Sequence, residues 1–436
     1  MSLLNQVLSR RNINRAIRQV RRNGGTAGVD GMKVSELEEF FATNFDKITN
    51  LIREGTYQPH KIKGVKIRKN SGGIRLLGIP TVIDRVIQQA INQVLSPLYD
   101  LEFSKFSYGF RPKKSARQCV HQALNYINSG YHDIIDLDLK RFFDVVNHDY
   151  LMSLLYKKIK EERLLRLIRK YLKANLMLGR IDSPRTEGTP HGSPLSPLLS
   201  NLILNELDKE LSQKGLKFVR YADDCSIFLK SKQVAKETLK EITVFIEQRL
   251  HLKVNTEKTK IVRPLTYCIL GFNFISLYDK KQKGKYRLRV CPKTFKQLKQ
   301  KIKTITRKTD PTPTREKIVR LNYLMRGWVN YFKDAAMQVK LKELDSWVRS
   351  RLRYCIWQHW KKPNRRMRAY IQMGVKQGTA YAWSRSRMGG WAIAQSPMMR
   401  TTVTLNRLER IGYQSFSDYY ARISPVLMNR LIPNGT

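Results

Sequence analysis

The stretch Phe218-Val219-Arg220-Tyr221-Ala222-Asp223-Asp224-Cys225-Ser226-Ile227-Phe228-Leu229 constrains this chain more than any other. Two runs of β-branched and aromatic residues flank the tetrapeptide Tyr221-Ala222-Asp223-Asp224 and read as strands joined by a tight turn. Apolar runs of this length have the character of fully buried strands. Unpaired carboxylates between them cost far more than a strand pair returns, so a positive partner is required. Such oxygens suit Mg²⁺, which is commonly held by one or two carboxylates plus substrate phosphates. Alone, an Asp-Asp pair would equally make an acidic surface turn.

A second acidic stretch favours the metal. In Ile134-Ile135-Asp136-Leu137-Asp138-Leu139-Lys140-Arg141-Phe142-Phe143-Asp144, alternation along a strand puts Asp136 and Asp138 on one face. One of these, set beside the hairpin, completes a three-carboxylate cage for two metals about 3.5–4 Å apart. Such a pair stabilises the attacking and leaving oxygens of an in-line phosphoryl displacement.

The charge balance names the partner. Lys and Arg number 82 against 35 acids in 436 residues, a formal charge of +47, and a protein this basic calls for a polyanion such as nucleic acid. The length suffices for two or three domains. No acid falls between Asp345 and Glu409, whereas 13 Lys and Arg run from Arg349 to Arg407, interleaved with Trp347, Tyr354, Trp357, Trp360, Tyr370, Tyr381, Trp383 and Trp391. A charge run is often a solvated face, but one unrelieved by acids repels itself without a polyanion. Arg349, Arg351, Arg353, Lys361, Lys362, Arg365, Arg366 and Arg368 are therefore expected to bind nucleic acid, with Trp and Arg offering stacking for unpaired bases. The five cysteines have no paired spacing and predict neither a zinc site nor a disulfide framework, which fits a reducing cytosol. No apolar run is long enough to span a membrane, and no leader is evident, so a cytoplasmic location is expected.

Periodicity predicts a basic helix over 1–21, a glycine-rich loop at Gly24–Gly31, helix over 33–57, and strands around Lys66–Lys69 and Ile74–Pro80. Between those strands, Lys69 and Arg75 flank a turn and can aim two cations at a triphosphate, although basic hairpin tips are common on such a chain. Helices follow over 81–100 and 115–127, then a helical stretch over 149–178. Glu187–Asn201 is a Gly/Pro-stiffened loop entering an apolar helix, with Pro197 well placed in its first turn. A rigid loop there can present backbone, around His191 and Gly192, to the base and sugar of a substrate. Further helix is expected over 232–250, a single strand over Tyr267–Phe274, and three helices over 294–308, 314–335 and 340–361.

The Tyr-Ala-Asp-Asp hairpin, the spacing of Asp138 to Phe143 and Pro190-His191-Gly192-Ser193-Pro194 resemble the palm of reverse transcriptases. With Tyr108-Gly109-Phe110-Arg111-Pro112 and Gly327-Trp328-Val329-Asn330-Tyr331-Phe332, the likeness extends to proteins encoded by bacterial group II introns. The resemblance implies an α+β right-hand polymerase: fingers over 1–90, a palm with an antiparallel sheet over 91–292, a helical thumb or maturase domain over 293–362, and a basic DNA-binding region over 363–436. It implies that Asp138, Asp223 and Asp224 hold two Mg²⁺ ions (Mn²⁺ as a substitute), with the Leu139 carbonyl as a further ligand. By the same likeness Lys69 and Arg75 grip the nucleotide, Phe143 lies under its sugar, Lys258 is a proton donor to pyrophosphate, and Asn23, Gly24, Gly25 and Arg111 lie near the template. Phe143 read by itself is equally a core residue, Lys258 a solvated lysine, and the glycine loop a connector. His191 and Ser193 stand where the family usually has Gln and Gly, and Asn70 where it usually has Pro.

The implied function is reverse transcription of RNA by two-metal phosphoryl transfer, joined to maturase activity on a group II intron RNA. Partners would be that RNA, an RNA template with a DNA or RNA primer, target DNA and deoxynucleoside triphosphates, within a nucleoid-associated ribonucleoprotein. The absence of a His- and Cys-rich segment after the basic tail resembles the compact members that lack an endonuclease. The alternatives are a non-enzymatic splicing cofactor and a domesticated reverse transcriptase serving DNA repair or phage defence.

Overall fold

In the computed structural model, residues 2–68, 74–179, 181–277 and 284–426 are described, Arg75 by its backbone alone. The chain divides into two compact units, Met1–Pro264 and Leu265–Thr436. The division falls inside the segment expected as palm.

The first unit opens with α1 (Leu3–Leu8) and α2 (Arg10–Asn23). One continuous helix was expected here, but Ser9 ends α1 and caps α2, its hydroxyl accepting from the Asn12 N–H. Asn12 in turn donates to the Val7 and Ala90 carbonyls, so the break is fixed from both sides. α3 (Leu37–Glu54), β1 (Ile62–Arg68), β2 (Ile74–Ile79), α4 (Val82–Asp100) and α5 (Ala116–Asn128) follow, then β3 (Asp133–Leu137). The helical stretch expected over 149–178 is two helices, α6 (His148–Tyr156) and α7 (Glu162–Lys173), and then a hairpin of β4 (Leu176–Leu178) and β5 (Ile181–Ser183). That hairpin exists because β4 lies parallel to β1, Ile62 opposite Leu176, a pairing far apart in sequence. α8 (Ser196–Gln213) carries Pro197 in its first turn, where the missing N–H breaks no helical bond. β6 (Lys217–Tyr221), β7 (Asp224–Leu229), α9 (Lys232–Gln248) and β8 (Lys260–Val262) complete the unit.

Two sheets result. One runs β2-β1-β4-β5; the other, antiparallel, runs β6-β7-β3-β8. The core beneath joins Val86, Ile87, Ile91, Ile135, Leu199, Ile203, Phe218 and Ile227, all nearly inaccessible.

The second unit begins with β9 (Cys268–Ile269), β10 (Phe272–Ser276) and β11 (Tyr286–Val290), ordered β11-β10-β9. A single strand was expected over Tyr267–Phe274. Leu270 and Gly271 instead take φ of 50° and 83° and turn the chain back on itself. The turn brings Cys268 against Cys291 as a disulfide, against the expectation of no pairing. The 23-residue separation carries no local signal, since only the sheet closes the loop. Helices α10 (Pro292–Ile305), α11 (Thr314–Phe332) and α12 (Gln338–His359) follow as expected, then six short ones: α13 (Pro363–Gln372), α14 (Gln377–Ser384), α15 (Gly390–Gln395), α16 (Pro397–Thr402), α17 (Leu405–Arg410) and α18 (Phe416–Ile423). The last docks on buried Asp345 of α12, whose carboxylate accepts from the Tyr413 and Ser415 hydroxyls and the Phe416 and Ser417 N–H groups. No described helix is long and apolar enough to cross a membrane.

Candidate active site

The centre of the antiparallel sheet brings the two acidic stretches together. β3 pairs with β7 through Asp136 opposite Ser226 and Leu137 opposite Cys225. The same register sets Asp138, just past β3, beside Asp224, which opens β7. Tyr221 pairs with Asp224 across a two-residue turn, and Ala222 within it has φ 58°, a left-handed conformation usually left to glycine.

Asp138 is held from the other side by the segment before β8. Its carboxylate accepts from Asn255 Nδ2 at 2.9 Å and lies 3.3 Å from Lys258 Nζ. Its backbone N–H donates to Thr259 Oγ1 at 3.1 Å, and its carbonyl accepts from the Asn255 N–H at 2.8 Å. Leu139 makes an isolated bridge with Val254. Asn255 and Thr259 escape sequence reading because they meet Asp138 only through the sheet.

The carboxylates crowd one another. Burial and Asp138 push the Asp136 carboxyl up to about 6. Asp224 is exposed at the turn, yet partial desolvation of its carboxyl, then Asp223, Asp136 and Asp138, push it up to about 6, with Lys258 opposing. Among the described residues no three His, Cys, Asp or Glu side chains converge closely enough to hold an ion unaided. A cluster of hard oxygen donors whose charge Lys258 offsets only in part nevertheless fits Mg²⁺, which keeps several waters and takes ligands from substrate phosphates.

A loop packs against the segment that follows Asp138. The Thr189 N–H donates to the Phe143 carbonyl and the Gly188 N–H to that of Val146. A Cβ on Gly188 would lie 2.6 Å from the Asp144 carbonyl oxygen, so only glycine fits. The Gly192 N–H donates to the Gly78 carbonyl of β2 at 3.1 Å, and a Cβ there would lie 2.4 Å from that oxygen. His191 packs its ring 4.7 Å from that of Phe143, with Nε2 3.4 Å from Asp144. Ser193 Oγ donates to buried Gln88. Phe143 is half-buried against Phe142 and His191.

The remaining candidates divide. Lys69 and the Arg75 side chain lie outside the described residues. Gly24 ends α2 with φ 63°, Asn23 accepts from Gln19, and Gly25 passes so close to Arg85 that a Cβ would lie 3.1 Å from its guanidinium. Arg111 does not reach outward. Its guanidinium is 5% exposed, pairs with Asp100 at 2.6 Å and donates to the Ser104, Ser107 and Asp100 carbonyls. Arg111 thereby ties Asp100, Ser104 and Ser107 together.

In the second unit the basic run likewise splits. Lys361, Lys362, Arg365 and Arg368 are exposed and Arg349 partly so. Arg353 is buried and donates to the Val403 carbonyl, Arg351 donates to Thr306, and Arg366 stacks 4.0 Å above the Trp357 ring. Trp357, one of the tryptophans expected to offer stacking, is buried, as is Tyr370.

Residues 67–274 match the family described as reverse transcriptase (RNA-dependent DNA polymerase), and residues 295–371 match the group II intron, maturase-specific domain. Protein YkfC of Escherichia coli K12 is 30% identical over 278 residues, covering 54% of this chain and 72% of YkfC. Group II intron-encoded protein LtrA of Lactococcus lactis subsp. cremoris is 36% identical over 198 residues, 44% of this chain and 32% of LtrA. The chain therefore matches about a third of LtrA's length. Among solved structures, a partial Cas6-RT-Cas1–Cas2 complex aligns with TM-score 0.37 and 28% identity over 57% of this chain and 43% of that one.

Proposed function

The chain belongs to the reverse transcriptases that carry a group II intron maturase-specific domain, and on that premise we propose that it copies RNA into DNA and binds a group II intron RNA to assist splicing and mobility. The observation that carries the polymerase reading is the register that sets Asp138 beside the Tyr221–Asp224 turn. The domains of this reading are fingers over 1–90, palm over 91–292, a helical thumb over 293–362 and a small basic DNA-binding region over 363–436.

When bound, two Mg²⁺ ions, or Mn²⁺ in their place, would activate a primer 3′-OH and neutralise the triphosphate. Asp138, Asp223 and Asp224 would hold them, with the Leu139 carbonyl as a further ligand. Asn255 and Thr259 fix Asp138 at the edge of the sheet. Lys258, paired with Asp138, gives a proton to the departing pyrophosphate in this reading. Lys69 and Arg75 neutralise the outer phosphates. The Phe143 ring rejects a ribose 2′-OH, with His191 and Gly192 shaping the wall beside it. The template runs past Asn23, Gly24 and Gly25. Exposed Lys361, Lys362, Arg365 and Arg368 bind nucleic acid through phosphates, as a dispersed cationic surface does.

The test is primer extension on an RNA template by Asp223→Ala and Asp224→Ala proteins, alongside their affinity for intron RNA. Extension should vanish while RNA binding stays near wild type, because affinity comes from many cations. Retained extension would refute the site, and equal loss of both in a folded protein would refute the separation of roles.

A further inference from the structure

Beneath the Tyr221–Asp224 turn lies a polar network that neither the resemblance nor the comparisons assign. Arg220, the residue before Tyr221, and Asp208 of α8 have side chains 0% exposed. The guanidinium meets the Asp208 carboxylate two-pronged, Nε to Oδ1 at 2.8 Å and Nη2 to Oδ2 at 2.6 Å. Its Nη1 donates to Asn201 Oδ1 at 2.9 Å and to the Ala222 carbonyl at 2.9 Å. Asn201 reaches on, donating from Nδ2 to the Gly109 carbonyl at 2.9 Å. The segment before Gly109 is laced to the same residue: the Arg220 N–H donates to the Phe106 carbonyl, and the Tyr108 N–H to the Arg220 carbonyl. A Cβ on Gly109 would lie 2.3 Å from the Ala222 nitrogen. α8, the 106–109 segment and the turn thus converge on one guanidinium.

Stability is a weak reason for this arrangement. Replacing a buried ion pair with apolar residues of similar volume is often neutral or stabilising. What an apolar pair cannot do is donate to the Ala222 carbonyl. Ala222 needs such restraint, since a left-handed alanine is sterically disfavoured and relaxes unless the surroundings determine it. A lysine also cannot replace the fork, because it lacks the planar set of donors that serves Asp208 and Ala222 together.

We infer that Arg220 is a positioning residue for polymerisation: held by Asp208 and Asn201, it fixes the Ala222 carbonyl and thereby sets where Asp223 and Asp224 present their carboxylates. This rests on the reverse-transcriptase reading above. Arg220 touches no substrate and acts only through the turn.

The test compares the full-length wild type with Arg220→Lys, with the charge-free double variant Arg220→Met/Asp208→Leu, and with Asn201→Ala. Three quantities are read: thermal midpoint, extension rate against deoxynucleotide concentration, and binding of Mn²⁺ alone followed by its free-ion electron spin resonance signal. The double variant should melt near wild type yet lose about a hundredfold in kcat, the scale of an ångström-sized misplacement of reacting groups, with KM changed little. Its Mn²⁺ affinity should fall toward that of Asp223→Ala. Arg220→Lys should lie between it and wild type. A double variant with wild-type kcat and Mn²⁺ affinity would overturn the inference and leave the network as packing. If the double variant does not fold, Asn201→Ala decides, since it keeps the ion pair: a several-fold lower kcat at an unchanged melting point supports the positioning role, and an unchanged kcat overturns it. A wild type that extends no primer would instead refute the underlying reading, and the Mn²⁺ comparison would still judge the turn.

Discussion

Gly109→Ala is the sharpest perturbation the site offers, because the added methyl group has nowhere to go. The new Cβ would stand 2.3 Å from the Ala222 nitrogen, 3.0 Å from the Tyr221 carbonyl carbon and 3.1 Å from the Ala222 Cα. These are backbone atoms, so no side chain can swing aside. Real Cβ atoms essentially never come within 3.0 Å, and reaching that limit takes a shift of about 0.7 Å in the turn or in the 106–109 segment. Elsewhere a glycine-to-alanine change at an unstrained position stabilises by about 0.4–1 kcal/mol through the unfolded chain. Here that gain is set against the displacement of the turn bearing Asp223 and Asp224. A displacement near 1 Å in reacting groups costs about a hundredfold in rate, so a fall of roughly ten- to a hundredfold is expected. Single-turnover extension of a primer on RNA, measured beside circular dichroism and the melting temperature, gives the result. A folded Gly109→Ala protein extending at the wild-type rate would refute both the packing of the 106–109 segment on the turn and the sensitivity of the carboxylates to its position.

Three further outcomes follow from the geometry. Phe143→Ala should admit ribonucleotides while retaining deoxynucleotide incorporation, read by single-nucleotide extension with matched substrates; unchanged discrimination would leave the ring as packing against His191. Arg111→Ala should lower stability in urea denaturation by about 2 kcal/mol, the scale of a hydrogen-bonded charge, with little change in template affinity; the reverse pattern would return Arg111 to the template. His60 donates its backbone N–H to Asp84 Oδ2 and sets Nδ1 3.2 Å from the same oxygen, and that partner raises its pKa above the ordinary 6.5. A raised histidine pKa contributes stability in full below the unfolded value and loses it as pH climbs through the folded one. The stability difference between wild type and His60→Gln should therefore shrink from pH 6 toward about pH 8, the side of an ordinary histidine pKa on which the proton is lost; parallel denaturation curves across that range would exclude the clasp.

The hairpin of β6 and β7, the strand carrying Asp136, the proline-led α8 and the three long helices of the second unit were legible because each has its own local pattern. What stayed hidden depends on partners distant in sequence. Asn255 and Thr259 are ordinary turn residues until the sheet sets them 117 and 121 positions from Asp138. Arg220 reads as a charged residue in a strand, and only the approach of α8 reveals that it is fully buried. β4 and β5 have three residues each, too few for a period, and exist through pairing with β1. The basic run misleads for the opposite reason: arginine looks alike whether it faces solvent, as Arg368 does, or lies buried against a carbonyl, as Arg353 does.

The contact between Gly78 and Gly192 sets a rule for anyone recombining this chain with a relative. The loop over residues 187–193 is no interchangeable cassette, since its backbone meets β2 at a separation that excludes a methyl group and meets Asp144 at another. A transplanted loop carrying any side chain at either glycine would push against main chain more than 40 positions away. Chimeras should tolerate exchange only when 78–79, 143–146 and 187–193 are inherited from one parent, and libraries that vary the loop alone should be depleted of active members at positions 188 and 192 before any other.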